Sequence, residues 1–436
     1  MQNIYNKLAT AVLSLALAGT AQAQQTPADA QSGAITLTGA TIHVGDGTVI
    51  ENGSISFDDG IITAVGPGAN GAGTVINVAG KHIYPGFIAP NTSLGLVEIS
   101  SVRATDDEDE IGDYLPHVRS IVAYNTESKV VESMRPNGVL LGQIAPRGGV
   151  ISGTSSVVQF DAWNYEDSII SEDDGIHMNW PSSFRRTGWW AEPGPTLPNK
   201  EYSKQLDAAR TFLLGAKAYD QNGSKESNLK YGATKGLYDG SQRLFVHVNG
   251  EKEILDAIEL KKELGIQHMV LVGGYGAHKI AGDLKKENIP VLAQRVHDLP
   301  GFDDEDYDLP YRMPMILSKA GVLVGLENAG SMERHQMRNL PFYAGTTAGY
   351  GMNKEEALKL VTSNTAKILG IDDRYGSLEV GKSATLFVSD GDALDMRGNM
   401  LRHAFIDGRK ISLDTHQSEL YERYSNKYKH TMPSRN

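Results

Sequence analysis

Apolar and polar residues alternate along "AITLTGATIHVG" (34–45) and "SISFDDGIITAVG" (54–66). A period of two predicts half-buried strands, and "DDG" (58–60) supplies a hairpin turn. A second such region lies near the other end, in "ATLFVSDGD" (384–392) and "HAFIDGRKI" (403–411). Strands at opposite ends of a chain can pair, with everything between them inserted as a separate body. Between residues 244 and 326 the pattern changes. "LFVHV" (244–248), "MVLVGG" (269–274), "IPVLAQRV" (289–296) and "VLVGL" (322–326) are apolar runs of strand length. They are separated by 251–264, 277–288 and 312–320, whose apolar spacing is helical, and Gly265 stops the first of these helices. Successive β/α units with apolar strands predict a parallel sheet, either closed into a barrel or open and doubly wound. Asn353, with Glu356 three residues on, predicts the start of another helix.

Residues 97–240 are less regular. "RGGVISGTSSVVQFDAW" (147–163) reads as β-rich, with "RGG" a turn between strands. Residues 164–195 read as a long irregular insertion, and 199–221 and 225–236 as helical. Trp180, Trp189 and Trp190 either line a pocket or bury the insertion against the body of the fold. "TDDEDE" (105–110) and "FDDEDYD" (302–308) read as solvated acidic loops, because neither has the glycine spacing of a calcium loop.

The N-terminus changes the picture of location. Lys7, the apolar run "LATAVLSLALAG" (8–19) and "AQA" (21–23) form a secretory signal, with cleavage expected after Ala23. That leaves 413 residues (436 − 23) in a periplasmic or secreted chain. Residues 24–33 then read as a disordered leader, and no further run long enough to insert in a membrane follows. There is no cysteine, which excludes disulfides, thiolate nucleophiles and sulfur-ligated metals. The formal charge of −12 argues against nucleic acid as a partner and says nothing positive about substrate; a small-molecule substrate or ligand is the expectation. No serine stands in a Gly-x-Ser-x-Gly elbow.

Three stretches in order, "IYPGFI" (83–88), "EEALKLVTSNTAKILGI" (355–371) and "GSLEVGKSATLFVSDGD" (376–392), resemble the amidohydrolase superfamily, imidazolonepropionase-like enzymes included. The resemblance implies an α/β fold: a TIM-type (β/α)8 barrel over 81–374. A small composite β-sandwich from 34–80 and 375–412 and a tail at 413–436 complete it. It also implies metal-assisted hydrolysis of a C–N bond, with zinc or another divalent ion activating water, and dimerisation. The family's Asp-x-His-x-His falls here on Ala89, Asn91 and Ser93. The strand-5 histidine is matched by His247, the strand-6 histidine falls at Gly273 and Gly274, and the closing aspartate falls on Asn328, beside Glu327. An amide and a hydroxyl replace imidazoles poorly at zinc, so a degenerate or altered metal site is expected.

Polar residues collect at the ends of the β/α strands independently of family. His247, His297 and Glu327 form a candidate acid/base set, with Tyr275, His278, Arg295 and Arg338 as substrate-binding candidates. Glu98, Asn249, Glu333, Arg334 and His335 stand nearby in the pattern. Two functions follow. One is an exported hydrolase of C–N bonds with an altered site. The other is an inactive barrel that binds a ligand or pairs with an active paralogue.

Overall fold

A computed structural model describes residues 26–68, 73–222, 227–328 and 333–428. The secretory signal expected at 1–23 lies outside them. Among the described residues eighteen strands occur in order. β1 (Ile35–His43), β2 (Val49–Asp58), β3 (Ile61–Pro67), β4 (Thr74–Asn77) and β5 (His82–Pro85) come first. β6 (Phe87–Thr92), β7 (Val139–Ile144), β8 (Ile151–Gln159) and β9 (Ile169–Asn179) follow, then β10 (Phe184–Trp189) and β11 (Glu192–Pro198). β12 (Arg243–Val248), β13 (His268–Gly273), β14 (Val291–Ala293) and β15 (Val324–Leu326) carry the β/α rhythm. β16 (Leu386–Ser389), β17 (Leu401–Ile406) and β18 (Arg409–Lys410) end the series.

The two ends of the chain share one sheet, ordered β18-β17-β16-β5-β1-β2-β3, with β4 also on β1. It has its own apolar cluster, including Leu37, Ile42, Phe57, Ile83, Leu386 and Phe405. Phe57 and Phe405 meet edge to face at 5.1 Å. A second, larger cluster fills the middle of the chain.

The second sheet runs β15-β14-β13-β12-β9-β8-β7-β6. It is nearly closed into a barrel: Leu326 N donates to Leu360 O (3.0 Å) and Ile88 N donates to Val361 O (2.9 Å), so residues 360–361 fill the gap between its edge strands. Not every strand is parallel, as a TIM-type (β/α)8 barrel would require, because β8 runs antiparallel to both β7 and β9. The cause is loop length. Only residues 145–150 join β7 to β8, too few for a crossover, whereas a turn can reverse the chain.

The predicted rhythm from β12 to β15 is present, and its first helix, Glu251–Leu264, stops at Gly265 with φ 69°. The helix expected at 277–288 is a 3-10 stretch (Tyr275–Ile280) followed by a short α-helix, Ala281–Lys286. Asn353 caps the helix Lys354–Lys359, accepting from the backbone N–H of Glu355 and Glu356. Two expectations are corrected. The stretch 164–195 is not irregular: it forms β9 and most of the β10–β11 hairpin. The leader is pinned over its described part, where Ala28 N donates to Asp161 (2.9 Å) and the Gln31 side chain bonds Phe57 O and Gly60 N.

Candidate functional site

The strand carrying Asn91 departs from regular pairing at that residue. β6 shifts register against β7 between Ala89 and Thr92, and Asn91 has φ 48°. Asparagine tolerates this left-handed conformation better than most residues, and a bulge of this kind re-aims a side chain. Asn91, fully buried, thereby faces Arg147 from the β7–β8 turn. Arg147 Nη1 donates to Asn91 Oδ1 and Nη2 to Asn91 O, both at 2.9 Å. The same Nη2 reaches Glu333 Oε1 at 2.7 Å. Ser93, at the second histidine position, donates from N and Oγ to that same Glu333 oxygen. Asn91 Nδ2 donates to Glu327 Oε2 at 3.3 Å. The guanidinium thus sits beside Asn91 and Glu333, and Glu333 is also held by Ser93; Asn91 and Ser93 are the positions at which the resemblance implied metal ligands.

A histidine pair faces it. His177 on β9 and His247 on β12 approach through Nδ1 and Nε2 at 2.9 Å. Burial and then the Arg147 charge push His247 down to about 3. His177, fully buried, is pushed well below the usual range by burial, by His247 and by Arg147. Both rings are therefore neutral at physiological pH, and one donates to the other. His177 Nε2 and Asn328 Oδ1 are buried without a hydrogen-bond partner among the described residues. Next to Asn91, Gln143 accepts from its backbone N–H (3.1 Å) and donates to Asp174 (2.7 Å), which also accepts from Ser155 (2.8 Å). Burial raises Asp174 to about 6.

The structure gathers Asn91, Ser93, Glu327 and His247 around Arg147, and distributes the other candidates elsewhere. His297 pairs with Thr346 Oγ1 at 2.7 Å and stands edge-on to Tyr343. Tyr275 bonds Glu305 through its hydroxyl and accepts from Gly301 N, while His278 Nδ1 donates to Tyr275 O at 2.9 Å. Arg295 donates to Gln336 (2.9 Å). Arg338 is exposed, and its carbonyl accepts from Asn137 Nδ2 (2.7 Å). Glu98 accepts from Asn125 (3.2 Å). Gly273 has φ 88°, and a Cβ there would lie 2.6 Å from Asn249 Oδ1, so the strand-6 ligand position is shaped for glycine. Trp180 is buried and donates to Tyr202, whereas Trp189 and Trp190 are exposed and do not bury the insertion.

Arg147 and His177 are not among the residues that the chain pattern singles out. Arg147 was hidden in a stretch that reads as a turn, and His177 in one that reads as irregular. The usable signal for His177 is its place between Ile176 and Met178, inside an apolar run.

The donor set does not fit a divalent ion. No three His, Asp or Glu side chains among the described residues are arranged to hold a metal. The oxygens of Asn91 and Ser93 are engaged with Arg147 and Glu333, and a fixed cation already lies beside His247 and repels another.

Residues 313–415 match the model of the amidohydrolase family. The sequence matches no curated protein. Among solved structures, an amidohydrolase from Thermotoga maritima MSB8 is similar at 24% identity and TM-score 0.73, covering 87% of this chain and 99% of that one. A prolidase crystallised with N-methylphosphonate-L-proline is 16% identical, with TM-score 0.55 and coverage of 87% and 99%. Phenylurea hydrolase B is 13% identical, with TM-score 0.51 and coverage of 87% and 97%. This chain has the fold of these amidohydrolases and carries the amidohydrolase family's sequence signature over residues 313–415, with Asn91 and Ser93 standing where the resemblance implied histidines.

Proposed function

We propose that this protein is an exported amidohydrolase-type hydrolase that acts on a C–N bond of a small or peptide-like molecule through an altered, metal-free centre. The observation that carries this reading is Arg147, fixed by Asn91 and Glu333 at the family's metal-ligand positions. Its positive charge lies where the family uses a cation, and such a charge favours the oxyanion formed when water adds to a carbonyl. His247, partly buried at the end of β12, is neutral. It takes the proton of the attacking water and returns it to the leaving nitrogen. Glu327 holds Asn91, and so Arg147, in place. Neighbours named as a prolidase and a phenylurea hydrolase suggest N-acylprolines and aryl ureas as first substrates. Export rests on the secretory signal read at 1–23, and no helix among the described residues is long and apolar enough to cross a membrane.

A proton acceptor with a pKa near 3 is weak at neutral pH, so turnover is slow. The rate is expected to be flat from pH 5 to 9, roughly two units clear of that pKa at the lower end. A metal-bound water would instead give a limb near pH 7, its pKa being about 7 at zinc. Chelator is expected to leave the rate unchanged, and His247→Asn and Arg147→Met to abolish it in folded protein. Loss of activity with chelator and recovery with Zn²⁺ would sink the reading. A second reading, a ligand-binding barrel or the partner of an active paralogue, is favoured by how fully the Arg147 terminal nitrogens are engaged. It predicts saturable binding of the same amides without turnover.

A further inference from the structure

The barrel rim opposite His247 carries a cavity of its own. β12, β13, β14 and β15 are mutually parallel, so their first residues lie at one rim. Arg243 opens β12 and His247 stands four residues on, roughly 13 Å away along a strand that rises about 3.3 Å per residue. A cavity of about 530 Å³ opens at that rim, a volume in the range that holds a small organic ligand. Its walls are apolar, with Met269, Val270, Leu284, Ile289, Val322 and Ile368. Its polar side chains are basic or neutral: Arg243, His268, Lys285, Asn288 and Lys367. No Asp or Glu lines it, on a chain whose formal charge is −12.

The fold explains only some of these cations. Helices Glu251–Leu264 and Leu309–Lys319 end at this rim, and Lys285 and Lys367 lie in the last turns of two shorter ones, Ala281–Lys286 and Ser363–Leu369. A cation there suits the negative end of a helix dipole. Arg243, by contrast, belongs to a strand. Its guanidinium lies against Gly370, where a Cβ would run into it. Among the described residues Arg243 donates no side-chain hydrogen bond and forms no ion pair, and the same holds for Lys285 and Lys367. Burial pushes Arg243 down, and Asp174 and Asp372 oppose that without reaching ion-pair distance. Across the register from Arg243 stands His268, held below its usual range by burial and then by Arg243. A guanidinium presents five donors in a planar fork, and a carboxylate accepts two of them side by side. The apolar walls suit the rest of such a molecule, and the helix ends at the rim favour a single negative charge over a doubly charged phosphate. We propose that this cavity binds a small organic monocarboxylate with an apolar body, its carboxylate on Arg243 with Lys285 and Lys367 adding charge, and its body on Val270, Ile289 and Ile368. The site is separate from Arg147, and it does not depend on turnover at the barrel centre.

Isothermal titration calorimetry of the full chain tests this, with 3-phenylpropionate as the probe beside 3-phenylpropanol and phenyl phosphate. The carboxylate is expected to saturate a single site with a Kd on the order of 0.1–1 mM. The alcohol, which lacks the charge, and the doubly charged phosphate should each bind roughly ten-fold more weakly or not at all. Arg243→Met should weaken the carboxylate by roughly thirty-fold, and Arg243→Lys by roughly ten-fold, because the fork is lost while the charge stays. Lys285→Met with Lys367→Met, both exposed in the wild type, should weaken it several-fold and decides the matter if Arg243→Met does not fold. Arg147→Met should leave binding unchanged. Absence of saturable binding overturns the proposal. So does binding indifferent to the Arg243 and lysine variants, or equal or tighter binding of the alcohol or the phosphate. Loss of binding in Arg147→Met would place the probe at the barrel centre and overturn it too.

Discussion

At the residue scale the barrel centre is a set of buried groups whose charges oppose one another. Asp174 has a folded pKa of about 6, above its ordinary value of 3.8, so it favours the folded state while protonated. That contribution is complete below its ordinary value and is lost as pH rises through about 6. His247 runs the other way. Its folded pKa of about 3 lies below 6.5, so its contribution is present above 6.5 and lost as pH falls through 3. Between pH 4 and 6 the two slopes oppose. Asp174→Asn removes one of them, whatever its effect on absolute stability. Stability of that variant should then rise with pH across this window by up to about 1.4 kcal/mol per unit for one proton. Urea denaturation at several pH values measures it, and a slope equal to the wild type's would refute the assignment.

At the scale of elements, loop lengths and backbone conformation decided what the chain pattern could reveal. The strands β12 to β15 were legible because each is an apolar run bounded by a helix or a glycine. The shared terminal sheet was legible because its strands alternate with a period of two. The reversal at β8 was not, since an apolar run carries no direction and only the six-residue link betrays it. The bulge at Asn91 was not, since a left-handed residue leaves no periodic trace. His247 and Glu327 were legible from strand position, whereas Arg147 reaches the centre from a turn, where spacing says little about direction. Gly273 illustrates the same point in reverse. Gly273→His, which restores the family residue, forces a side chain at φ 88° against Asn249 and should cost roughly 1–3 kcal/mol without creating a metal ligand. A histidine variant as stable as the wild type, or one that binds zinc, would contradict this account of β13.

At the scale of the whole molecule, one carboxylate ties three parts of the chain. Asp161, only 1% exposed, receives Ala28 N from the leader, Arg409 Nη1 from β18 (2.9 Å), and Arg135 from the barrel side (3.2 Å). Removing one member of a buried ionic group leaves the others uncompensated, so Asp161→Ala should cost roughly 3–5 kcal/mol. It should also free the leader, read as protease cleavage near residue 28 under native conditions. Native-like resistance would show that the leader is held elsewhere. The centre of the account remains Arg147: the barrel is built around a cation of its own. Elemental analysis tests this most directly, on untagged protein incubated with Zn²⁺, Mn²⁺ and Ni²⁺ and then desalted. The account predicts far less than one metal per chain, and the same trace in His247→Ala. One tightly held metal per chain, lost in His247→Ala, would contradict it.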